Sequence, residues 1–175
     1  MRQKRFLVAA LFVLPVLAIV RQVKARLDVG AAPVTSVQLW QGESGSEVRL
    51  GDLPHALGSR CVLLSIISPH CSVCTRMRHS WAGNVRTIAV SANVQLASAW
   101  LTTTGFEEAK AFVKGTEAEQ IPLFAVPDSA SIGFRPLRAH GTPTTILFNS
   151  VGAEQLRIYG EQLPTQPQLV EGCGR

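Results

Sequence analysis

Two cysteines three positions apart, Cys71 and Cys74, stand out in this 175-residue chain as residues able to do chemistry. They form the run Cys71-Ser72-Val73-Cys74, which follows Ser68-Pro69-His70 at the end of an apolar stretch. The thiolate is the reactive form of cysteine, and a helix N-terminus offers free N–H groups and partial positive charge to stabilise it. With two residues between them on a first helical turn, the second sulfur reaches the first. A disulfide attacked by Cys71 is then resolved internally by Cys74, which releases a reduced substrate. The same spacing serves as half of a zinc site, but structural zinc needs four ligands and no second C-x-x-C or H-x-H cluster follows. His70, His79 and His140 keep a metal-delivery alternative open, with copper as the cargo. A plain structural disulfide is disfavoured because so short a loop gains little from closure. Thiol peroxidase chemistry is a further alternative. It is disfavoured because no Pro-rich loop with a single activated cysteine is present, and two-residue spacing suits exchange. No cofactor and no resident metal are expected.

The elements that must position these sulfurs follow from periodicity. Cys61–Ile67 (CVLLSII) is a continuous apolar run of strand length, the pattern of a central strand covered on both faces. From Cys71 to Val85, the residues Val73, Met77, Trp81 and Val85 recur every fourth position, predicting one helix. Val94–Leu101 reads as a strand, and Thr104-Gly105-Phe106-Glu107 as a capping box opening a helix that stops near Gly115. Ile121–Val126 and Thr144–Phe148 are further strands, the latter turning through residues 149–152 into Glu154–Tyr159. Val37–Gln41 and Glu47–Leu50 bracket a hairpin turn, and residues 164–171 predict a last short helix. Strands alternating with helices and ending in a hairpin give an α/β fold with a mixed central sheet and helices on both faces. In that fold Gly141-Thr142-Pro143 leads directly into a buried strand, where a proline belongs only at the first residue or in a special bond.

The N-terminus reads differently. Arg2, Lys4 and Arg5 precede Phe6–Val20, fifteen apolar residues without a charge, and a basic segment before an apolar run marks an export signal. A spanning helix usually needs about 17–25 residues, so cleavage and retention as a signal anchor both stay open. Cations beside the cleavage position favour the anchor. Residues 1–26 are thus expected to be a signal anchor or signal peptide, 27–35 a linker, and 36–175 one folded domain. Six of the 17 Lys and Arg lie in residues 1–26; the remainder has 11 basic and 12 acidic residues, net −1. The overall charge of +5 therefore belongs to the membrane segment, and no basic stripe remains for nucleic acid. The default orientation, N-terminus in the cytoplasm, exports the domain.

Central strand, C-x-x-C helix, then Thr142-Pro143 before a final hairpin: this arrangement resembles the thioredoxin superfamily over roughly residues 34–171. Within it, the chain resembles the membrane-anchored TlpA/ResA-like group of the bacterial envelope, and the Ser-Pro-x-Cys-x-Val-Cys run is similar to the MauD type. The resemblance implies a three-layer thioredoxin-like fold and thiol–disulfide oxidoreductase activity. Cys71 would be the exposed nucleophile and Cys74 the buried resolving thiol, with Pro143 in a cis bond beside them. Thr142 would offer backbone to the substrate, and His70 would border the substrate surface. Its partners would be protein thiols and disulfides together with a membrane redox partner. The chain would be held to the inner membrane by residues 6–20, with the domain on the periplasmic side. Three positions depart from the pattern: His70 replaces the usual Trp, Ser72-Val73 lacks the commoner Pro, and no acidic residue occurs between Leu53 and Phe106. Arg60, Arg76, Arg78 and Arg86 fill that acid-free stretch. They either favour the thiolate or solvate the outer helix face. Cys61 and Cys173 either pair with each other or stay apart, one in the core and one free.

Overall fold

A computed structural model describes residues 36–42, 44–126 and 137–174. The expected signal segment and linker, residues 1–35, lie outside the described residues. Among the described residues no helix is long and apolar enough to cross a membrane.

Among the described residues seven strands form one mixed sheet: β1 (Gln38–Gln41), β2 (Ser46–Arg49), β3 (Cys61–Ile67), β4 (Leu96–Thr102), β5 (Leu123–Ala125), β6 (Thr144–Phe148) and β7 (Glu154–Tyr159). Their order is β2-β1-β5-β4-β3-β6-β7. β3 runs parallel to β4 and antiparallel to β6, so it is an interior strand paired on both sides. Every residue of β3 is buried, as its unbroken apolar run demands. The pleat sends alternate side chains to opposite faces. Cys61, Leu63 and Ile67 enter one apolar cluster, and Val62, Leu64 and Ile66 the other. The polar exception, Ser65, is satisfied across the sheet by the Thr145 hydroxyl at 3.1 Å.

Among the described residues five α-helices accompany the sheet: α1 (Leu53–Ala56), α2 (Ser72–Met77), α3 (Trp81–Ala92), α4 (Phe106–Val113) and α5 (Gln166–Cys173). The first cluster takes Cys74 and Met77 from α2, Trp81 and Val85 from α3, Phe112 and Val113 from α4, and Leu169 from α5. The second is closed by Leu53 of α1, together with Leu50 and Leu137. Helices thus cover both faces.

Two local expectations are corrected. The single helix over residues 71–85 is two helices, because the chain leaves α2 after Met77 and restarts at Trp81. Arg78 turns aside to donate to the carbonyl of Phe112 and lies over that ring, 4.8 Å from its centroid. The apolar face survives the break, since Met77, Trp81 and Val85 are all buried. The capping box at Thr104 does not form. Thr104 instead turns back to Thr102, whose hydroxyl accepts from the Thr104 N–H at 3.0 Å, and Gly105 caps α4 without a side-chain bond. A capping box does form at α5, between Thr165 and Gln168. α3 ends on Asn93 in the left-handed region, φ 52°.

Cys61 and Cys173 are joined by a disulfide with Cα atoms 5.4 Å apart, within the usual range. It ties α5 to the N-terminal end of β3.

Candidate active site

At the other end of β3 the chain turns sharply. The Cys71 N–H donates to the Ser68 carbonyl at 3.1 Å, and the His70 N–H to the Ser68 hydroxyl at 3.2 Å. Cys71 is the N-cap of α2, with extended backbone (φ −94°, ψ 115°), and its sulfur accepts from the Cys74 N–H at 3.1 Å. The site is thus a helix cap whose capping atom is a thiol sulfur. Cys71 is half-buried and Cys74 fully so, and neither is in a disulfide. From 71 residues away the loop before β6 arrives beside them. The Thr142–Pro143 bond is cis, and the Cys71 thiol donates to the Thr142 carbonyl at 3.2 Å. The Gly160 N–H donates to the Pro143 carbonyl at 2.9 Å, which fastens that loop to the end of β7.

The two sulfurs are biased in opposite directions. Partial burial pushes the Cys71 thiol up, but hydrogen bonds from the Cys74 thiol and N–H, from the Thr142 side chain and from the Val73 N–H outweigh it. The net position is below the ordinary value of 9.0. Cys74 is pushed up to about 12, first by burial and then by its hydrogen bond to the Cys71 sulfur, whose negative charge adds to the effect. One sulfur is therefore prepared to be a thiolate, and its neighbour holds a proton in reserve.

Comparison with known families and structures agrees with this arrangement. The thioredoxin-like domain family matches residues 55–169. The chain belongs to the thioredoxin-like family. Solved structures similar to it include a putative thiol:disulfide interchange protein DsbE from Chlorobium tepidum, with TM-score 0.60 and 16% identity, covering 84% of this chain and 100% of that one. StoA from Bacillus subtilis aligns with TM-score 0.52 and 16% identity over 81% of this chain and 98% of its own. The exposed lipoprotein thioredoxin Etrx1 from Streptococcus pneumoniae strain TIGR4 aligns with TM-score 0.52 and 15% identity over 78% and 96%. A comparison with curated protein sequences finds no match. This thioredoxin-like domain, with its paired thiols, is a thiol–disulfide oxidoreductase.

The remaining residues singled out by sequence fall variously in the thioredoxin-like site. His70 lies beside Cys71, largely exposed, and its Nε2 meets the Glu108 carboxylate of α4 at 3.1 Å. The fold thus supplies an acid that the local sequence lacks, but it engages the imidazole. The arginines do not act on the sulfurs. Arg76 pairs with Glu161 at 3.4 Å, Arg78 is held by Phe112, and neither is among the groups that lower Cys71. The thiolate bias therefore comes from hydrogen bonds, because a guanidinium on the outer helix face finds closer partners. His140 lies near Tyr159, ring centroids 6.3 Å apart, just before the Thr142 loop. Among the described residues no three His, Cys, Asp or Glu side chains gather to hold a metal ion. Glu108, Glu161 and Tyr159 carry no signal in the sequence, since each reaches the site through a tertiary turn.

Proposed function

We propose that this protein exchanges disulfides with protein substrates in the bacterial cell envelope. Its domain would stand on the periplasmic side of the inner membrane, held by residues 6–20, and a membrane redox partner would restore its resting state. The observation that carries the chemical part is the Cys71 sulfur capping its own helix, accepting from the Cys74 N–H at 3.1 Å, with the two sulfurs biased in opposite directions. Its location is supported by the basic and apolar N-terminus and by the buried Cys61–Cys173 disulfide, a bond that persists in oxidising compartments. The neighbours named as a disulfide interchange protein and an exposed lipoprotein thioredoxin point the same way.

The reaction follows from the geometry. The Cys71 thiolate attacks one sulfur of a substrate disulfide. That S–S bond breaks, one substrate thiolate leaves, and a mixed disulfide joins Cys71 to substrate. The Cys71 thiol donates to the Thr142 carbonyl. Loss of its proton frees that carbonyl to accept from a substrate backbone N–H. Pro143 holds the loop in place, and His70 borders the approach. Cys74 then attacks the Cys71 sulfur and expels the second substrate thiolate, which takes up the proton that Cys74 releases. The substrate has gained two electrons and the protein is left with a Cys71–Cys74 disulfide. Run backwards, the same steps oxidise a dithiol substrate.

Substituting the resolving thiol tests the assignment. Cys74→Ser accumulates covalent adducts with substrate proteins, seen on non-reducing gels and dispersed by reductant, whereas Cys71→Ser gives neither adducts nor turnover. Adducts on Cys71→Ser in place of Cys74→Ser would reverse the two roles.

A further inference from the structure

We propose that the open flank of β4 takes an extended, acidic segment of a partner polypeptide as an added strand. β4 is longer than the strand beside it. Its pairing with β5 begins at Trp100 opposite Leu123, and the Trp100 N–H donates to the Pro122 carbonyl. β3 pairs with β4 from Leu96 onward, so residues 96–99 are bonded on one side only. Along a strand the N–H and C=O of alternate residues point to the same side. Leu96 and Ser98 share parity with Trp100, and so turn their backbone groups toward the vacant flank. Unpaired backbone of this kind is a ready template for another strand.

The flank is open rather than covered. Leu96, Ala97 and Ser98 form one side of a groove of about 1060 Å³, bordered by α3 and by Gln120–Pro122. Arg60 and Arg86 line it, and no Asp or Glu does. Neither arginine has an ion-pair partner among the described residues. The nearby acids are engaged: Glu117 accepts from the Gly83 N–H at 3.0 Å and Glu119 from the Gly115 N–H at 2.9 Å. Val90, 76% exposed, also borders the groove. Arg86 reaches it from α3, which packs on one face of the sheet, while Leu57 and Ala97 belong to the apolar cluster on the opposite face. A strand laid there puts alternate side chains on these two faces. The segment that fits therefore alternates acidic with apolar residues, and this complementarity selects it over a neutral or basic strand. The groove lies at the N-terminal end of β3 and β4, on the order of 20 Å along the strand from the dithiol. It is a surface separate from the exchange site.

The test uses the full chain and a fluorescein-labelled peptide of alternating glutamate and valine, with a lysine–valine peptide as control. The expected result is saturable binding of the acidic peptide only, weakened at least about tenfold by Arg60→Glu with Arg86→Glu. Hydrogen exchange should show new protection at the Ser98 amide. Ser98→Pro removes that outward N–H without breaking a bond to β3, and it should weaken binding while leaving Cys71–Cys74 turnover unchanged. Equal binding of both peptides, indifference to the charge reversal, or protection at another site would each overturn the proposal. Displacement by inorganic phosphate with no change at the Ser98 amide would show a simple anion site instead. Concentration-dependent self-association abolished by Ser98→Pro would show that the edge takes a second copy. The binding, protection and self-association readouts do not depend on disulfide exchange.

Discussion

Cys74 holds its proton up to about 12 in the folded chain against 9.0 for a free thiol, and this difference links the stability of the reduced protein to pH. Below 9.0 the proton is bound in both folded and unfolded chains, so the contribution is fully present. Above 9.0 the unfolded thiol ionises while the buried one does not, and stability falls as pH rises toward 12, by at most about 1.4 kcal/mol per unit. Cys71 acts in the other direction, since its lowered value contributes stability above 9.0 that fades as pH falls through its folded value. Denaturant midpoints of the reduced protein are expected to drop from pH 9.0 upward, and Cys74→Ala to flatten that drop. A reduced wild-type chain with no such slope would mean that Cys74 is solvated. At this scale the sequence was informative about the sulfurs and silent about their tuning. Cys71, Cys74, Thr142 and Pro143 were legible from motif and resemblance. The hydrogen bonds that set the thiolate bias, and the Glu108 contact of His70, depend on distances that no spacing encodes.

The elements show where local pattern suffices. β3 and β6 have the bounds their apolar runs predict, because burial on the central sheet is a property of the run itself, and β7, a partly exposed edge strand, keeps its expected bounds through the turn that leads into it. The break between α2 and α3 was illegible, since no Gly or Pro marks residues 78–80, where the His79 and Ser80 N–H groups donate three residues back to the Arg76 and Met77 carbonyls. The Cys61–Cys173 bond was likewise ambiguous, being 112 residues apart in sequence. Loops of that size leave the unfolded chain much less free when closed, and losing such a bond costs about 2–5 kcal/mol. Cys61→Ala with Cys173→Ala is therefore expected to lower the unfolding free energy by that amount, measured by denaturant titration under oxidising conditions. Alkylation of Cys71 should proceed at the wild-type rate, because the dithiol sits at the far end of β3. An unchanged unfolding free energy would mean that α5 is held by its packing alone.

For the whole molecule, charge is the informative quantity. The chain carries +6 in residues 1–26 and −1 in the rest; three of those cations precede the apolar run and three follow it, so the proposed export rests on the basic start before an apolar run rather than on a charge difference across it. A reporter joined after Gly174 is expected to be active only outside the cytoplasm in a bacterial host. Activity confined to the cytoplasm would rule out the envelope assignment while leaving the exchange chemistry intact. The α/β class and the mixed sheet were readable from the alternation of strands and helices. The sheet order was not, because it depends on β5 inserting between β1 and β4, a pairing of three residues on one side and one on the other.

The cap of α2 is also its reagent. The Cys71 sulfur accepts from the Cys74 N–H, and a thiolate is a far better acceptor than a sulfur bound to another sulfur. Each catalytic turn therefore weakens this one hydrogen bond while a covalent bond joins the same two residues, and later restores it. The Cys74 amide is therefore expected to exchange with solvent faster in the disulfide form than in the dithiol, read by hydrogen exchange on the two forms; equal rates would show that this bond is indifferent to the charge on the sulfur.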